Sequence, residues 1–218
     1  CRDFEASGAA DANLGSPGSH GFEITTPVVG GGWQNRPMAR SGLFGPAREW
    51  PDQDLIAFSD EFDETLALEA YSCGVFPMPI GQYSASEMGW WSPLRRGVMP
   101  LDALRVTRSL RKSAKRYTTT IDQAFDEVLA RCADPKRPHG WIDDAVRRVY
   151  TTLHEAGRVH SVEVWDSSGR LVGGLYGVCI GGLFAGESMF HDPEHGRDAS
   201  KVALLRLVEF LSDEHAED

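Results

Sequence analysis

No run of apolar residues in this chain approaches the roughly 20 residues that a membrane-spanning helix needs. The sequence also lacks a C-x-x-C pair, because its cysteines, Cys1, Cys73, Cys132 and Cys179, are widely separated. This spacing disfavours a zinc site or a disulfide framework and favours reduced thiols. We therefore predict a cytoplasmic protein that crosses no membrane.

Motifs for covalent catalysis and for nucleotide binding are missing as well. The sequence contains no P-loop and no evident Ser-His-Asp or Cys-His set. His191 and His195 could be proposed as metal ligands, but Pro193 between them makes a helical pair of ligands improbable. We predict that the chain uses neither a metal nor a cofactor.

The chain has no overall excess of positive charge, since 22 Lys and Arg face 32 Asp and Glu for a net charge of -10. This charge argues against nonspecific coating of nucleic acid. The segment from Leu104 to Tyr117 is the exception, because it is basic and contains no acid. If Thr107 caps a helix, the cations form one stripe. A stripe of this kind is usually a solvated face, but here it is also a candidate contact for RNA phosphates. Its members are Arg108, Arg111, Lys112, Lys115 and Arg116.

The chain divides into three segments by composition. Residues 1–42 are rich in Gly, Ala and Ser and predict a flexible tail, and a first residue other than Met predicts an incomplete start. Residues 43–104 predict a small α/β domain, in which a helix follows Asp63 as N-cap and stops at Gly74. The third segment, residues 105–218, alternates helical and strand patterns.

That third segment predicts a sheet flanked by helices, so the fold class is α+β. Thr118 to Ile121 is a short strand, and Asp122 caps a helix that runs to about Cys132. A further helix stops at Gly157. A hairpin follows from Val159 with a Ser-Ser-Gly turn, then another strand and a final helix from Ser200 to Leu211.

Gly173 to Phe190, GGLYGVCIGGLFAGESMF, combines strand-forming residues with more glycine than a structural strand tolerates. It predicts a β-hairpin built around a ligand. Glu187 is the one carboxylate in this apolar run. It either points to solvent from an alternating strand or recognises a charged group in a pocket.

The strings GGLYGV, LFAGESMF and ASKVALL, in this order, resemble the leucyl/phenylalanyl-tRNA-protein transferases. The resemblance covers roughly Leu43 to Leu211 and includes a G-x-F-P turn at Gly74 and the tryptophan pair Trp90 and Trp91. It implies that residues 105–218 form an acyltransferase domain of the GNAT type. Acetyltransferases of that type cradle a pyrophosphate in a glycine turn, and GRDASKVA at that place lacks the second glycine.

The resemblance also implies a function: transfer of Leu, Phe or Met from aminoacyl-tRNA to the N-terminal Arg or Lys of a protein, which marks it for degradation. Separately from the resemblance, we predict a monomer. Glu187 would be catalytic and orient an ammonium or a hydroxyl, and the basic stripe would hold the tRNA stem. The transferred side chain would enter an apolar pocket matched by Leu175, Phe184 and Met189. Trp90, Trp91 and Trp141 would frame the terminal adenosine of the tRNA, where an indole face can stack on the base. Tyr150 and Ser188 are the remaining matched substrate positions.

Two features leave alternatives open. The tryptophan pair could instead seal a domain interface, and Trp141 could simply pack on the helix that follows it. The family's I-D-x-Q stretch, expected on a strand after the final helix, does not occur before Asp218. This predicts a domain that lacks its last strands, or else a noncatalytic aminoacyl-tRNA or RNA-binding remnant. A CoA-dependent acyltransferase is the third possibility.

Overall fold

The computed structural model describes residues 44–80, 87–137 and 140–215, so the predicted tail of residues 1–42 lies outside the described part. These residues form two compact units. The first contains the described residues up to Val98 together with 143–149, and the second contains 99–142 and residues from Tyr150 onward. Within the described ranges, no helix has both the length and the apolar character that a membrane crossing requires.

The first unit is built on a three-stranded antiparallel sheet and one helix. Its elements are β1 (Leu55–Ser59), α1 (Glu64–Cys73), β2 (Phe76–Pro79) and β3 (Met88–Trp91), and the strand order is β1-β3-β2. Both predicted ends of α1 are confirmed. The Asp63 carboxylate accepts a hydrogen bond from the Leu66 N–H at 2.7 Å, and Gly74 ends the helix with a φ of 83°.

The second unit carries a four-stranded antiparallel sheet in the order β4-β5-β6-β7. This arrangement confirms the predicted α+β class and the predicted hairpins. The final helix begins near the predicted residue and extends further. The elements are α2 (Arg108–Ala114), β4 (Thr118–Ile121), α3 (Phe125–Cys132), α4 (Asp144–Glu155), β5 (Val159–Trp165), β6 (Leu171–Ile180), β7 (Leu183–His191) and α5 (Ala199–His215), with residues 150–155 of α4 belonging to this unit.

Helices cover this sheet on its two faces. On one face α5 packs on a buried apolar cluster that includes Val162, Val164 and Leu175. Gly173 lets α5 approach, because a Cβ at this position would lie 2.5 Å from the Cβ of Ala199. On the other face α3 packs on β5, β6 and β7. Because strand side chains alternate, neighbouring residues of β6 face different helices.

The predicted capping role of Asp122 is wrong. Helix α3 begins at Phe125, and its N-cap, Ala124, makes no side-chain cap bond. The Asp122 carboxylate instead accepts a hydrogen bond from the Ser161 N–H at 2.7 Å and lies 2.7 Å from Nδ1 of His160. Asp122 reaches these groups from a left-handed backbone conformation with a φ of 56°. The Asp122 carboxylate thus hydrogen-bonds to the buried N–H of a strand and does not cap the helix.

Candidate active site and basic helix

Glu187 occupies a β-bulge between β6 and β7. Tyr176 pairs with Ser188 and Gly177 pairs with Gly186, so Glu187 is the extra residue on β7. A bulge of this kind changes the direction of a side chain, and bulges are common beside active sites. Here the extra residue breaks the strict alternation of β7, and Glu187 points to the helix side that Tyr176 faces.

Three aromatic side chains pack together beside the Glu187 carboxylate. The Tyr150 hydroxyl donates a hydrogen bond to Oε2 of Glu187 at 3.2 Å. The Tyr150 ring packs edge-on against Tyr176, with ring centroids 5.6 Å apart, and against Trp141 at 6.5 Å. Tyr150 and Tyr176 are fully buried, whereas Trp141 and Glu187 are half-buried. The structure therefore brings together the predicted residues Trp141, Tyr150 and Glu187 at a partly accessible carboxylate.

Tyr176 belongs to this site although it is not among the predicted site residues. Burial, and then the nearby negative charge of Glu187, raise the pKa of Tyr176 well above its ordinary value. The phenol therefore stays protonated at neutral pH. Its hydroxyl has no hydrogen-bond partner among the described residues. The alternation of side chains along β6, next to its glycines, is the sequence pattern that could have placed Tyr176 on this face.

Replacing Tyr176 with phenylalanine tests whether this hydroxyl contributes to the fold. A buried hydroxyl without a partner destabilises the folded state, so we expect Tyr176→Phe to raise the free energy of unfolding by up to about 1 kcal/mol or leave it unchanged. Urea denaturation of the two proteins measures the difference. A clear loss of stability in Tyr176→Phe would show that the hydroxyl is hydrogen-bonded in solution.

The three predicted apolar pocket residues lie on the opposite face of the sheet. Leu175 belongs to the buried cluster beneath α5, and Phe184 packs against the same cluster. Met189 pairs with Leu175 across the strands and is 41% exposed. The structure therefore does not place these side chains in one pocket with Glu187. The cause is the bulge, which puts Glu187 and Ser188 together on the other face.

The tryptophan pair separates into one buried and one partly exposed residue. Trp90 is fully buried in the first unit, where its N–H donates to the Ser59 hydroxyl at 2.9 Å and its ring packs edge-on against Phe44. Trp91 is half-buried and donates to the carbonyl of Met78 at 3.2 Å. Burial leaves Trp90 no ring face for a nucleobase in this structure, so a stacking role stays a prediction for Trp91.

Helix α2 carries three of the predicted cations, Arg108, Arg111 and Lys112, and Lys115 and Arg116 directly follow it. These five residues are called the α2 stripe. Thr107 caps the helix, as predicted, by accepting a hydrogen bond from the Leu110 N–H at 3.2 Å. Leu110 and Ala114 pack against the cluster beneath α5, which turns the basic residues outward. Among the residues that the structure describes, none of the five predicted cations forms an ion pair. Four are exposed and Arg111 is half-buried, so this charge is available to a polyanion.

The turn before α5 carries an ion-paired carboxylate. The Asp198 carboxylate accepts hydrogen bonds from Lys201 Nζ and from the Ser113 hydroxyl, both at 3.0 Å. The Lys201 bond, followed by the Ser113 bond, lowers the pKa of Asp198. Lys201 balances the charge of this group, so the feature that disfavours the CoA-dependent alternative is still the missing second glycine.

Two segments of the chain match models of known protein families. Residues 98–217 match the family model described as leucyl/phenylalanyl-tRNA protein transferase. Residues 60–94 match the model for the N-terminal domain of the same family. The first match alone covers more than half of the chain.

Individual relatives carry the same name. The chain is 49% identical over 150 residues to the leucyl/phenylalanyl-tRNA–protein transferase of Rhizorhabdus wittichii, which covers 67% of this chain and 58% of the relative. It is 46% identical over 156 residues to the transferase of Afipia carboxidovorans, covering 69% and 66%. For the transferase of Pseudoalteromonas atlantica the identity is 44% over 162 residues, covering 72% and 66%. The matches therefore span less than two thirds of each relative.

Proposed function

Since the chain belongs to the leucyl/phenylalanyl-tRNA protein transferase family, we propose that it transfers an aminoacyl group from aminoacyl-tRNA to a protein. The observation that carries this proposal is the Glu187 carboxylate, which stands on a β-bulge and is held by the Tyr150 hydroxyl at the end of a row of aromatic rings. A half-buried carboxylate beside aromatic rings suits the recognition of a small cationic or hydroxyl group.

The finer assignment follows the resemblance. The donor is tRNA charged with Leu, Phe or Met, and the acceptor is the N-terminal Arg or Lys of a protein, which the added residue marks for degradation. Residues 105–218 adopt a GNAT-like acyltransferase fold, and the reaction takes place in the cytoplasm without a cofactor. Support for these points comes from the family match and from the order of helices and strands in the second unit.

The chemistry needs little beyond positioning. An aminoacyl-tRNA ester is already activated, and an α-amine has a pKa of roughly 8, so a useful fraction of the acceptor is neutral at pH 7. The amine attacks the ester carbonyl, a tetrahedral intermediate forms, and the terminal ribose hydroxyl of the tRNA leaves as the peptide bond is completed. Holding the reactants together and stabilising the oxyanion supply most of the acceleration.

Each part of the site has a role in this scheme. Glu187 orients an ammonium or hydroxyl group of the substrates, and Tyr150 fixes the carboxylate by donating to Oε2. Trp141, which lies in the same unit as Glu187, is the candidate for contact with the terminal adenosine. The unpaired cations of α2 bind phosphates of the acceptor stem, where an otherwise acidic chain would be repelled.

A transfer assay tests the proposal. Purified protein is mixed with tRNA charged with labelled leucine and with a peptide that begins with Arg, Lys, Ala or N-acetylated Arg. We expect label on the Arg and Lys peptides only. The acetylated Arg peptide lacks the nucleophilic amine, and the Ala peptide lacks the Arg or Lys of the proposed acceptor. Label on none of the peptides, with charged tRNA still bound, would favour the noncatalytic binding module. Transfer from acetyl-CoA would restore the CoA-dependent alternative.

A further inference from the structure

We propose that Arg137 is a positioning residue of this site, which fixes strand β7 and the bulge of Glu187 against the end of α3. This role rests on the proposed function for its effect on transfer. The structural part of the role can be tested without any activity. Arg137 stands in the connection between α3 and α4, where no sequence pattern marked it.

The guanidinium of Arg137 joins two distant parts of the chain. One nitrogen, Nη1, donates to the carbonyl of Cys132, the last residue of α3, at 2.9 Å and lies 3.4 Å from the Ser188 hydroxyl. The other, Nη2, donates to the carbonyl of Met189 at 2.8 Å. Ser188 and Met189 directly follow Glu187. The planar guanidinium of Arg137 therefore contacts both residues that directly follow the bulge, through the Ser188 hydroxyl and the Met189 carbonyl.

The bulge explains why such a clamp is needed. The extra residue of a bulge interrupts the regular pairing of β6 and β7 at Glu187. The hydrogen bond from Arg137 to the Met189 carbonyl holds the main chain just after this interruption. The same guanidinium also ties the strand to the helix that covers the Glu187 face.

The surroundings of the Arg137 guanidinium support the same role. Arg137 forms no ion pair among the described residues, so its N–H groups are satisfied by main-chain carbonyls and the Ser188 hydroxyl. Burial raises the pKa of Cys132, while Ser188 and Arg137 lower it, which places the guanidinium beside this buried thiol. Arg137 likewise opposes the rise in the pKa of Tyr176 that burial and Glu187 produce. Its position is thus close to the groups that surround the carboxylate.

The test compares Arg137→Ala, Arg137→Lys and the matched control Lys136→Ala. Lys136 is the exposed neighbour, and its main-chain bond to Asp134 survives the substitution. Because a misplacement of about 1 Å can cost about 100-fold in rate, we expect Arg137→Ala to lower kcat by about 10- to 100-fold. The KM for charged tRNA should stay within about twofold, since α2 supplies that binding. Arg137→Lys should lie between, and Lys136→Ala should match the unchanged protein.

Hydrogen exchange of the main chain supplies the readout that needs no activity. We expect faster exchange in residues 183–191 of Arg137→Ala and unchanged exchange in β5. Unchanged exchange in β7, or an unchanged kcat with a folded protein, would overturn the proposal. Faster exchange throughout the second unit would also overturn it, because Arg137 would then support the whole fold. If the unchanged protein transfers nothing, the proposed function fails by itself and exchange alone decides the clamp.

Discussion

Replacing Glu187 with glutamine is expected to lower the rate of aminoacyl transfer by about 100- to 1,000-fold, the cost typical of removing one preorganised electrostatic group. Glutamine preserves the shape of the side chain and an oxygen that can accept from the Tyr150 hydroxyl, so the change isolates the negative charge. Single-turnover transfer of labelled leucine measures the rate. Glu187 is half-buried on a bulge, and the thermal stability of the variant should therefore stay close to that of the unchanged protein.

Controls separate this effect from a general loss of negative charge. Glu194 is exposed in the loop after β7, and Glu194→Gln should transfer at the normal rate. Met189→Ala truncates a side chain on the other face and should have a smaller effect than Glu187→Ala. Normal transfer in both Glu187→Ala and Met189→Ala would remove this part of β7 from the active site.

Reversing the charge of the α2 stripe is expected to weaken binding of charged tRNA by about 100-fold or more in 0.1 M salt. The variant Arg108→Glu, Lys112→Glu, Lys115→Glu replaces three exposed cations that have no acidic partner among the described residues. Each phosphate contact that is lost reduces the salt dependence, so the slope of log Kd against log salt should fall by about 3. Fluorescence titration at several salt concentrations measures both quantities.

The matched control is a cation that is already neutralised. Arg170 lies 3.2 Å from the Asp166 carboxylate at the β5–β6 turn, and Arg170→Glu should leave the salt slope unchanged. Leu110 and Ala114, which pack inward from α2, are untouched by the triple change, so the helix should persist. A normal Kd and salt slope in the triple variant would show that α2 is a solvated face that does not bind RNA.

Local chemistry explains which features the sequence could predict. Asp63, Gly74 and Thr107 act on main-chain groups within a few residues, so their roles were visible in short patterns and are confirmed. The strands from Val159 onward alternate or carry glycine in ways that specify a hairpin. Thr107 also set the phase of α2, and that phase put the cations on one face.

Features that depend on distant partners could not be predicted from the sequence. Strict alternation predicts faces correctly until one residue is inserted, and the bulge at Glu187 is such an insertion. Asp122 bonds a strand 39 residues away in place of the adjacent helix. Arg137 contacts Ser188 across 51 residues of sequence. No local sequence pattern shows which distant group a polar side chain will bond.

Single-turnover kinetics at saturating tRNA separate the proposed role of Glu187 in the transfer step from the role of the α2 stripe in holding the tRNA. Single-turnover transfer from leucyl-tRNA to an Arg peptide is measured at saturating tRNA for the unchanged chain, Glu187→Gln and the triple α2 variant. We expect transfer by the unchanged chain, normal tRNA affinity without efficient transfer for Glu187→Gln, and near-normal transfer by the α2 variant once tRNA is saturating. An unchanged chain that binds charged tRNA but labels no peptide would show that this chain does not catalyse the transfer.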